Sequence, residues 1–159
     1  MGKLRFYTIR YSYLNYLCNR DSNIKTKNDR PYLGVVLTIN DIDYFAPLCS
    51  PKDKMRQWTN KKSDVYLIDG GNFGFIDFSN MIPVHSFNVF QTDIQRLSDR
   101  KYARLLNKQY ALINKNKDTI YRRAKHVYNL RKKNTPGFKH CLDFSNLEKY
   151  YFAWNPVKK

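Results

Sequence analysis

Hydrophobic and polar positions follow two different periods along this chain of 159 residues. In the first half, apolar and aromatic runs of strand length alternate with short groups of Asn, Asp and Gly, which is typical of β-strands joined by tight turns. The predicted strands are 3–9, 32–39, 42–48, 65–68 and 73–78, and a further short strand begins within 80–84. Asn40-Asp41 predicts a hairpin between the second and third strands, and residues 69–72 predict another between the fourth and fifth.

The second half of the chain has the period of an α-helix. Positions that would face the sheet recur every three or four residues, which predicts a helix packed against it. These positions are Tyr102, Leu105, Leu106, Gln109, Leu112 and Ile113. A second helix begins near Asp118 and ends at the stop signal 134–137. Its predicted apolar face comprises Ile120, Ala124, Val127 and Tyr128, and its polar face Arg122, Lys125, His126, Asn129 and Lys133. Residues 144–152 are expected to form a short terminal helix.

A run of short antiparallel strands followed by helices favours an α+β fold over a parallel α/β sheet. A compact, strongly bent antiparallel β-barrel with helices packed on its outside would satisfy this pattern. Neither an internal repeat nor an interdomain linker is visible. Residues 1–159 are therefore expected to form a single domain, long enough to bury a core without disulfides or metals.

The net charge of the chain indicates what kind of partner the protein binds. Twenty-nine basic residues against thirteen acidic ones give a net charge of +16, and residues 96–133 hold most of the imbalance, with only Asp99 and Asp118 as acids. The electric field of so many positive charges favours binding of a polyanion. Nucleic acid is favoured over a membrane surface as the partner because no segment pairs a basic face with a broad apolar one. An AT-rich genome would explain part of the lysine content, but not why Glu148 is the sole glutamate.

Cysteine usage and the N-terminal residues predict a reducing, cytoplasmic setting. The three cysteines are odd in number and lack metal-binding spacing, so Cys18 and Cys141 are expected to be small buried apolar groups. The first thirty residues contain no apolar stretch of the kind found in signal peptides or membrane spans.

The strongest candidate for a functional site in the sequence is the segment Ala46-Pro47-Leu48-Cys49-Ser50-Pro51-Lys52. An apolar strand ends there in a hydroxyl and an ammonium two residues apart, an arrangement suited to holding a phosphate. The alternative is a plain turn with a solvated lysine, since Ser-Pro-Lys sequences often form turns. The glycines at 70, 71 and 74 are not followed by a helix, so they predict a β-turn and not a phosphate cradle.

Several segments together resemble the ToxN/AbiQ endoribonuclease toxins of type III toxin–antitoxin systems. The resemblance is most specific over 32–52 and 74–84, in Tyr-Leu-Gly-Val-Val-Leu, Cys-Ser-Pro-Lys and Gly-Phe-Ile-Asp-Phe-Ser-Asn-Met-Ile-Pro-Val, and is loose from 100 onward. It implies a barrel like those of the Kid and MazF toxins. It also implies an RNase that is inhibited by, and processes, repeats of a small pseudoknot RNA, the two assembling into closed rings. A role in abortive infection or plasmid maintenance would follow.

The same resemblance assigns candidate site residues. The family's hydroxyl-Ser-Pro-Lys motif falls on Cys49, Ser50 and Lys52, its N-terminal tyrosine on Tyr13 and its basic residue on Arg30. Two positions depart from the family pattern. Cys49 replaces a threonine or serine, which removes a hydroxyl, and Arg30 replaces a lysine, which changes a point donor into a planar fork.

These residues suit a reaction in which the RNA supplies its own nucleophile, the 2′-OH, and no metal or other cofactor is expected. Lys52 would stabilise the phosphorane, Ser50 would position the 2′-OH or a phosphate oxygen, and Tyr13 would pack on a base or donate to the phosphate. Arg30 would hold a flanking phosphate. The general base stays open between Lys52 and the three histidines, His85, His126 and His140, and the tyrosines Tyr7, Tyr11, Tyr13 and Tyr16 are candidates for stacking bases.

The expected RNA-binding residues are Arg30, Arg122, Arg123, Lys125, His126 and Lys133. The expected partners are a substrate RNA and the repeated RNA antitoxin, without membrane or DNA. Two other functions remain open from the sequence. A non-catalytic RNA-binding protein would use the same basic face, whereas a DNA-binding protein is disfavoured because no helix-turn-helix or basic zipper is present.

Overall fold

The long hairpin predicted around Asn40-Asp41 is the centre of the structure. The structure is a computed structural model, and it describes residues 2–24, 30–51 and 64–156. Strand β2 (Tyr32–Ile39) pairs antiparallel with β3 (Ile42–Cys49), and Ile39 lies opposite Ile42. Asn40 and Asp41 both have positive φ, at 50° and 65°, as a two-residue turn of type I′ requires. The predicted hairpin is therefore confirmed.

Seven described strands form an antiparallel sheet around this hairpin. The others are β1 (Arg5–Ile9), β4 (Val65–Leu67), β5 (Phe75–Asp77), β6 (Ile82–Pro83) and β7 (Val89–Gln91). Their order is β4-β5-β3-β2-β1-β7, and β6 pairs with β3 beside β5. The α+β prediction with an antiparallel sheet is confirmed. The described strands leave β4 and β7 at the two ends, so this sheet is not closed into the predicted barrel.

Four α-helices cover the sheet in the described part of the chain. They are α1 (Tyr11–Arg20), α2 (Arg100–Lys115), α3 (Lys117–Lys132) and α4 (Phe144–Ala153). The predicted apolar face of α3 is confirmed, because its buried residues are Ile120, Ala124, Val127 and Tyr128. Asp99 caps α2 by accepting from the backbone N–H of Tyr102, which is the usual way to satisfy a free donor at a helix start. Helix α1 was not predicted.

The only glutamate of the sequence joins three elements of the core. Tyr44 on β3 and Tyr128 on α3 both donate their hydroxyls to one carboxylate oxygen of Glu148 on α4, at 2.6 and 2.7 Å. The ammonium of Lys132 lies 3.5 Å from the other oxygen. Burial and these hydrogen bonds raise the pKa of both tyrosines, so both hydroxyls stay protonated donors.

The two structural cysteines differ in exposure. Cys141 is buried, and burial raises the pKa of its thiol to about 12, whereas Cys18 is half-buried on α1. The prediction of a buried apolar role therefore fits Cys141 better than Cys18. None of the described helices has the length and apolar character needed to cross a membrane.

Candidate functional site

Ser50 lies at the end of the central strand, where the chain leaves the sheet. Strand β3 ends at Cys49, which pairs with Phe75 of β5, and Ser50 and Pro51 follow it with their side chains exposed. On the other side, the backbone N–H of Leu48 donates to the carbonyl of Pro31 at 3.0 Å. The hydroxyl of Ser50 is thus presented to solvent from a backbone held on both sides.

The turn before β5 is fitted closely against this strand end. Gly74 has φ +97°, and a Cβ at this position would overlap the carbonyl oxygen of Cys49. Behind the turn, the side-chain amide of Gln109 on α2 donates to the carbonyl of Phe73 at 2.6 Å. Helix α2 therefore supports the turn, and the turn supports the backbone that carries Ser50.

Tyr32 is the buried neighbour of this strand end. Burial raises the pKa of its hydroxyl to about 12, the positive charge of Arg30 opposes that shift, and Cys18, Cys49 and Asp77 add to it. Arg30 precedes β2, and Cys18, Cys49 and Asp77 lie on α1, β3 and β5, so charges from four segments act on one hydroxyl. The structure thus places both Arg30 and Cys49 within electrostatic range of the Tyr32 hydroxyl, which the sequence predicted only as part of a strand.

Lys52, the predicted charge of the motif, lies outside the described residues. Tyr13, the fourth predicted catalytic residue, lies in the core with no exposed side-chain surface. Its hydroxyl donates to the carbonyl of Pro83 at 2.6 Å, and burial raises its pKa. The ring also packs edge-on against His85 and Trp154. The structure therefore gives Tyr13 a packing role in place of the predicted contact with RNA, because neither a base nor a phosphate can reach it.

The three histidines have different surroundings. His85 stacks on Tyr151, donates from Nε2 to the Tyr151 carbonyl at 3.0 Å and accepts at Nδ1 from Asn88. Burial lowers its pKa, which favours this neutral ring. His140 lies 2.7 Å from a carboxylate oxygen of Asp64, and His126 is exposed on α3. Two of the three are therefore held in contacts within the fold.

The predicted RNA-binding residues of α3 separate into two groups. Arg122, Lys125, His126 and Lys133 are exposed, as predicted. Arg123 instead donates to the carbonyl of Val65 at 2.9 Å and covers the ring of Tyr66. It attaches β4 to α3, so only part of its guanidinium faces solvent.

A second basic surface, on α2, was not singled out from the sequence. Lys101, Arg104 and Lys108 line an open cavity of about 460 Å³ with Phe73, the residue before Gly74. Since Gly74 abuts Cys49, this surface is joined to the strand end that carries Ser50. The charge imbalance of residues 96–133 was the signal for it. Across the described ranges, no group of three His, Cys, Asp or Glu side chains could hold a metal ion.

Comparisons with known proteins show which family this chain resembles. The family described as toxin ToxN of type III toxin–antitoxin systems matches residues 5–152. The chain is 33% identical to endoribonuclease ToxN of Bacillus thuringiensis subsp. kurstaki, over 91% of this chain and 80% of that protein. It is 30% identical to endoribonuclease AbiQ of Lactococcus lactis subsp. lactis, over 91% of this chain and 86% of that protein.

Solved structures extend the likeness to three dimensions. One comes from work in which a processed non-coding RNA regulates a bacterial antiviral system. It superposes with a TM-score of 0.84 at 27% identity, over 95% of this chain and 99% of that one. Another is a type III toxin that a non-coding RNA pseudoknot selectively inhibits, with a TM-score of 0.79 at 28% identity over 96% of this chain and 98% of that one. The chain therefore belongs to the ToxN family of toxins of type III toxin–antitoxin systems.

Proposed function

We propose that this protein is a sequence-specific, metal-independent endoribonuclease toxin that leaves 2′,3′-cyclic phosphate and 5′-OH ends. We further propose that a repeated pseudoknot RNA, which the toxin also processes, inhibits it. The observation that carries the proposal is the match to ToxN over nearly the whole chain, together with relatives named as endoribonucleases. The net charge of this chain, +16, suits a polyanionic substrate such as RNA.

The proposed reaction needs alignment more than added reagents. The 2′-oxygen attacks the adjacent phosphorus as its proton leaves, and the bond from phosphorus to the next 5′-oxygen breaks as that oxygen gains a proton. Holding the 2′-oxygen in line with the leaving oxygen supplies much of the rate. Ser50 supports this role because its hydroxyl is exposed on a strand end whose backbone is held between β2 and β5.

Two cations are proposed to stabilise the charge that gathers on the phosphate. Lys52 follows Ser50 by two residues in the motif, and its role rests on that position in the sequence. Arg30 is half-buried and precedes β2, and its positive charge opposes the rise in the pKa of the Tyr32 hydroxyl. A planar guanidinium at this place can contact a flanking phosphate through two N–H groups. Cys49 has no hydroxyl, so we assign it only the positioning of Ser50.

The substrate strand is proposed to approach over the basic surface of α2. Lys101, Arg104 and Lys108 are next to the Phe73-Gly74 turn, and that turn abuts the strand end. The exposed basic residues of α3 extend the positive surface. His85 and His140 are held by Tyr151, Asn88 and Asp64, so neither is proposed as the general base.

The test of the chemistry is cleavage of a long unstructured RNA in EDTA, with the RNA ends mapped. We expect cleavage at a few defined sites with cyclic phosphate ends. Ser50→Ala should lower the rate by about 10²- to 10³-fold, the usual loss when one transition-state contact is removed. Lys52→Ala tests the second residue of the motif. Ser22→Ala is the matched control, because Ser22 is an exposed serine in the turn that follows α1.

Four results would contradict this proposal. Cleavage that stops in EDTA would rule out metal independence, and 5′-phosphate ends would rule out attack by the 2′-OH. Unchanged rates in both Ser50→Ala and Lys52→Ala would remove the site. RNA binding without cleavage would favour the non-catalytic function. The inhibitor is tested separately: the DNA upstream of the gene is searched for direct repeats, RNA transcribed from such repeats is added, and the fall in cleavage rate is measured.

A further inference from the structure

A groove along α1 has the chemistry of a nucleotide-binding site and is not part of the strand end that carries Ser50. It lies between the exposed face of α1, the turn at Ser86–Asn88 and the chain that follows α4 at Trp154. Its volume is about 510 Å³. Sites for small ligands usually measure about 300–1,000 Å³, so the groove has room for a nucleotide but not for a duplex.

Two arginines mark the ends of the groove. Arg10 directly precedes α1 and Arg20 is its last residue. Ten residues at a rise of about 1.5 Å place them about 15 Å apart along the helix. The lining residues within the described part of the chain include no carboxylate. A groove with positive charge at both ends and no acid suits a segment with more than one phosphate.

Both guanidinium groups are held in place by contacts that engage only some of their N–H donors. Arg10 donates to the carbonyl of Phe87 at 3.2 Å and lies 5.0 Å from the Phe90 ring. Arg20 donates to the carbonyl of Tyr16 at 3.0 Å and lies 3.6 Å above the Tyr16 ring. Each guanidinium has five N–H donors, so donors remain for a phosphate.

An exposed aromatic ring forms one wall of the groove. Phe87 is 54% exposed, although its ring is ordered by stacking on His85 at 4.9 Å. His85 is itself stacked on Tyr151 at 3.8 Å, with the two rings 5° from parallel. The outer face of Phe87 is therefore the open end of a stack of three rings. A planar base is the ligand that continues such a stack.

Amide side chains complete the lining of the groove. Asn15 and Asn19 are exposed one turn apart on α1, so they face the same side. The side-chain carbonyl of Asn88 and the indole N–H of Trp154 are buried and have no hydrogen-bond partner among the described residues. Buried polar atoms are normally paired, so this wall is incomplete without a ligand or water.

We propose that the α1 groove binds an unpaired segment of RNA away from the cleaved phosphate. One base stacks on Phe87, the flanking phosphates bind Arg10 and Arg20, and the amides contact the base edge. This inference rests on the proposed function only in taking RNA as the ligand, and it is independent of the cleavage chemistry.

The test measures the affinity of a short labelled single-stranded RNA by fluorescence anisotropy, with 2′-O-methyl groups that prevent attack by the 2′-OH. Phe87→Ala should weaken binding by about 5- to 150-fold, the range for one stacked base, and Phe87→Trp should restore it. The matched control is Phe152→Ala, because Phe152 is 71% exposed and does not line the groove.

The charges are tested through the salt dependence of binding. Changing both Arg10 and Arg20 to Gln should lower the slope of log affinity against log salt by about 1.4, since each single-strand phosphate contact contributes about 0.7. Arg96→Gln removes one charge from a side chain that is 89% exposed outside the groove and should change the slope little. Thermal unfolding of each variant checks that the fold is intact.

The outcomes separate this proposal from the preceding one. If the wild type binds no RNA, the proposed function fails. If it binds RNA but the Phe87 and arginine variants behave like their controls, the groove proposal alone is overturned. Tighter binding of the same strand after annealing to its complement would also overturn it, because a duplex cannot stack a base on Phe87.

Discussion

The contact between Gly74 and Cys49 makes a sharp test of how the strand end is built. In Gly74→Ala, the new Cβ would overlap the carbonyl oxygen of Cys49. That oxygen belongs to the backbone, so it can move only if the end of β3 moves with it. Ser50 is the next residue, and its hydroxyl would move too.

The size of the effect has two parts. An alanine held at a positive φ costs roughly 1–2 kcal/mol relative to glycine. Forcing an extra methyl group into a packed place costs about 1–3 kcal/mol more. Gly74→Ala should therefore lower the free energy of unfolding by roughly 2–5 kcal/mol, out of a total that is typically about 5–15 kcal/mol for a domain.

Gly137→Ala is the matched control. Gly137 has φ +91°, close to the +97° of Gly74, but no atom lies within 4 Å of the place that its Cβ would take. The control thus carries the backbone cost without the overlap. Urea unfolding of both variants should differ by about 1–3 kcal/mol.

Activity gives the second measurement. Cleavage by the folded fraction of Gly74→Ala should fall, since a displacement of about 1 Å at a reacting group can lower a rate by about 10²-fold. Gly137→Ala should cleave at the wild-type rate. Equal stability of the two variants, with wild-type cleavage by both, would refute the close fit of the turn against the strand end.

Two further predictions concern buried tyrosines. Glu148→Ala should lower the free energy of unfolding by about 2–4 kcal/mol, because the hydroxyls of Tyr44 and Tyr128 lose their acceptor. Glu148→Gln keeps one acceptor oxygen and should lose less; equal losses in urea unfolding would contradict this. The pKa of Tyr32 rises from 10.0 to about 12 on folding. The folded chain then keeps a proton that the unfolded chain releases, so stability falls between pH 10 and 12, and Tyr32→Phe should remove about 2–3 kcal/mol of that fall. An unchanged pH profile of stability in Tyr32→Phe would show that Tyr32 is not so perturbed.

Local signals in the sequence were sufficient for much of the fold. Asn40-Asp41 predicted the central hairpin because these residues tolerate the positive φ that the turn needs. The spacing of Ile120, Ala124 and Val127 predicted the buried face of α3, because the period of a helix alone determines which residues share a face. The position of Ser50 at the exposed end of a strand followed from the same kind of pattern.

Helix α1 shows where the local signal was too weak. Its ten residues have just three buried positions, Tyr13, Leu14 and Leu17, and the other aromatic and polar residues blur the period. Helical order in so short a segment comes mostly from packing against the rest of the protein. For this reason, the sequence did not distinguish a helix from a row of tyrosines available to bases.

What the sequence by itself determined was the family, the antiparallel α+β class, the basic character of the second half and the Ser50 motif. Only the tertiary structure decided which of two similar side chains packs inward. It buried Tyr13 against Pro83 and placed Arg123 on Val65, while Arg122 stayed exposed. It also joined residues from three distant segments into the α1 groove. Such juxtapositions depend on long-range packing, which leaves no periodic signal in the sequence around any one of these residues.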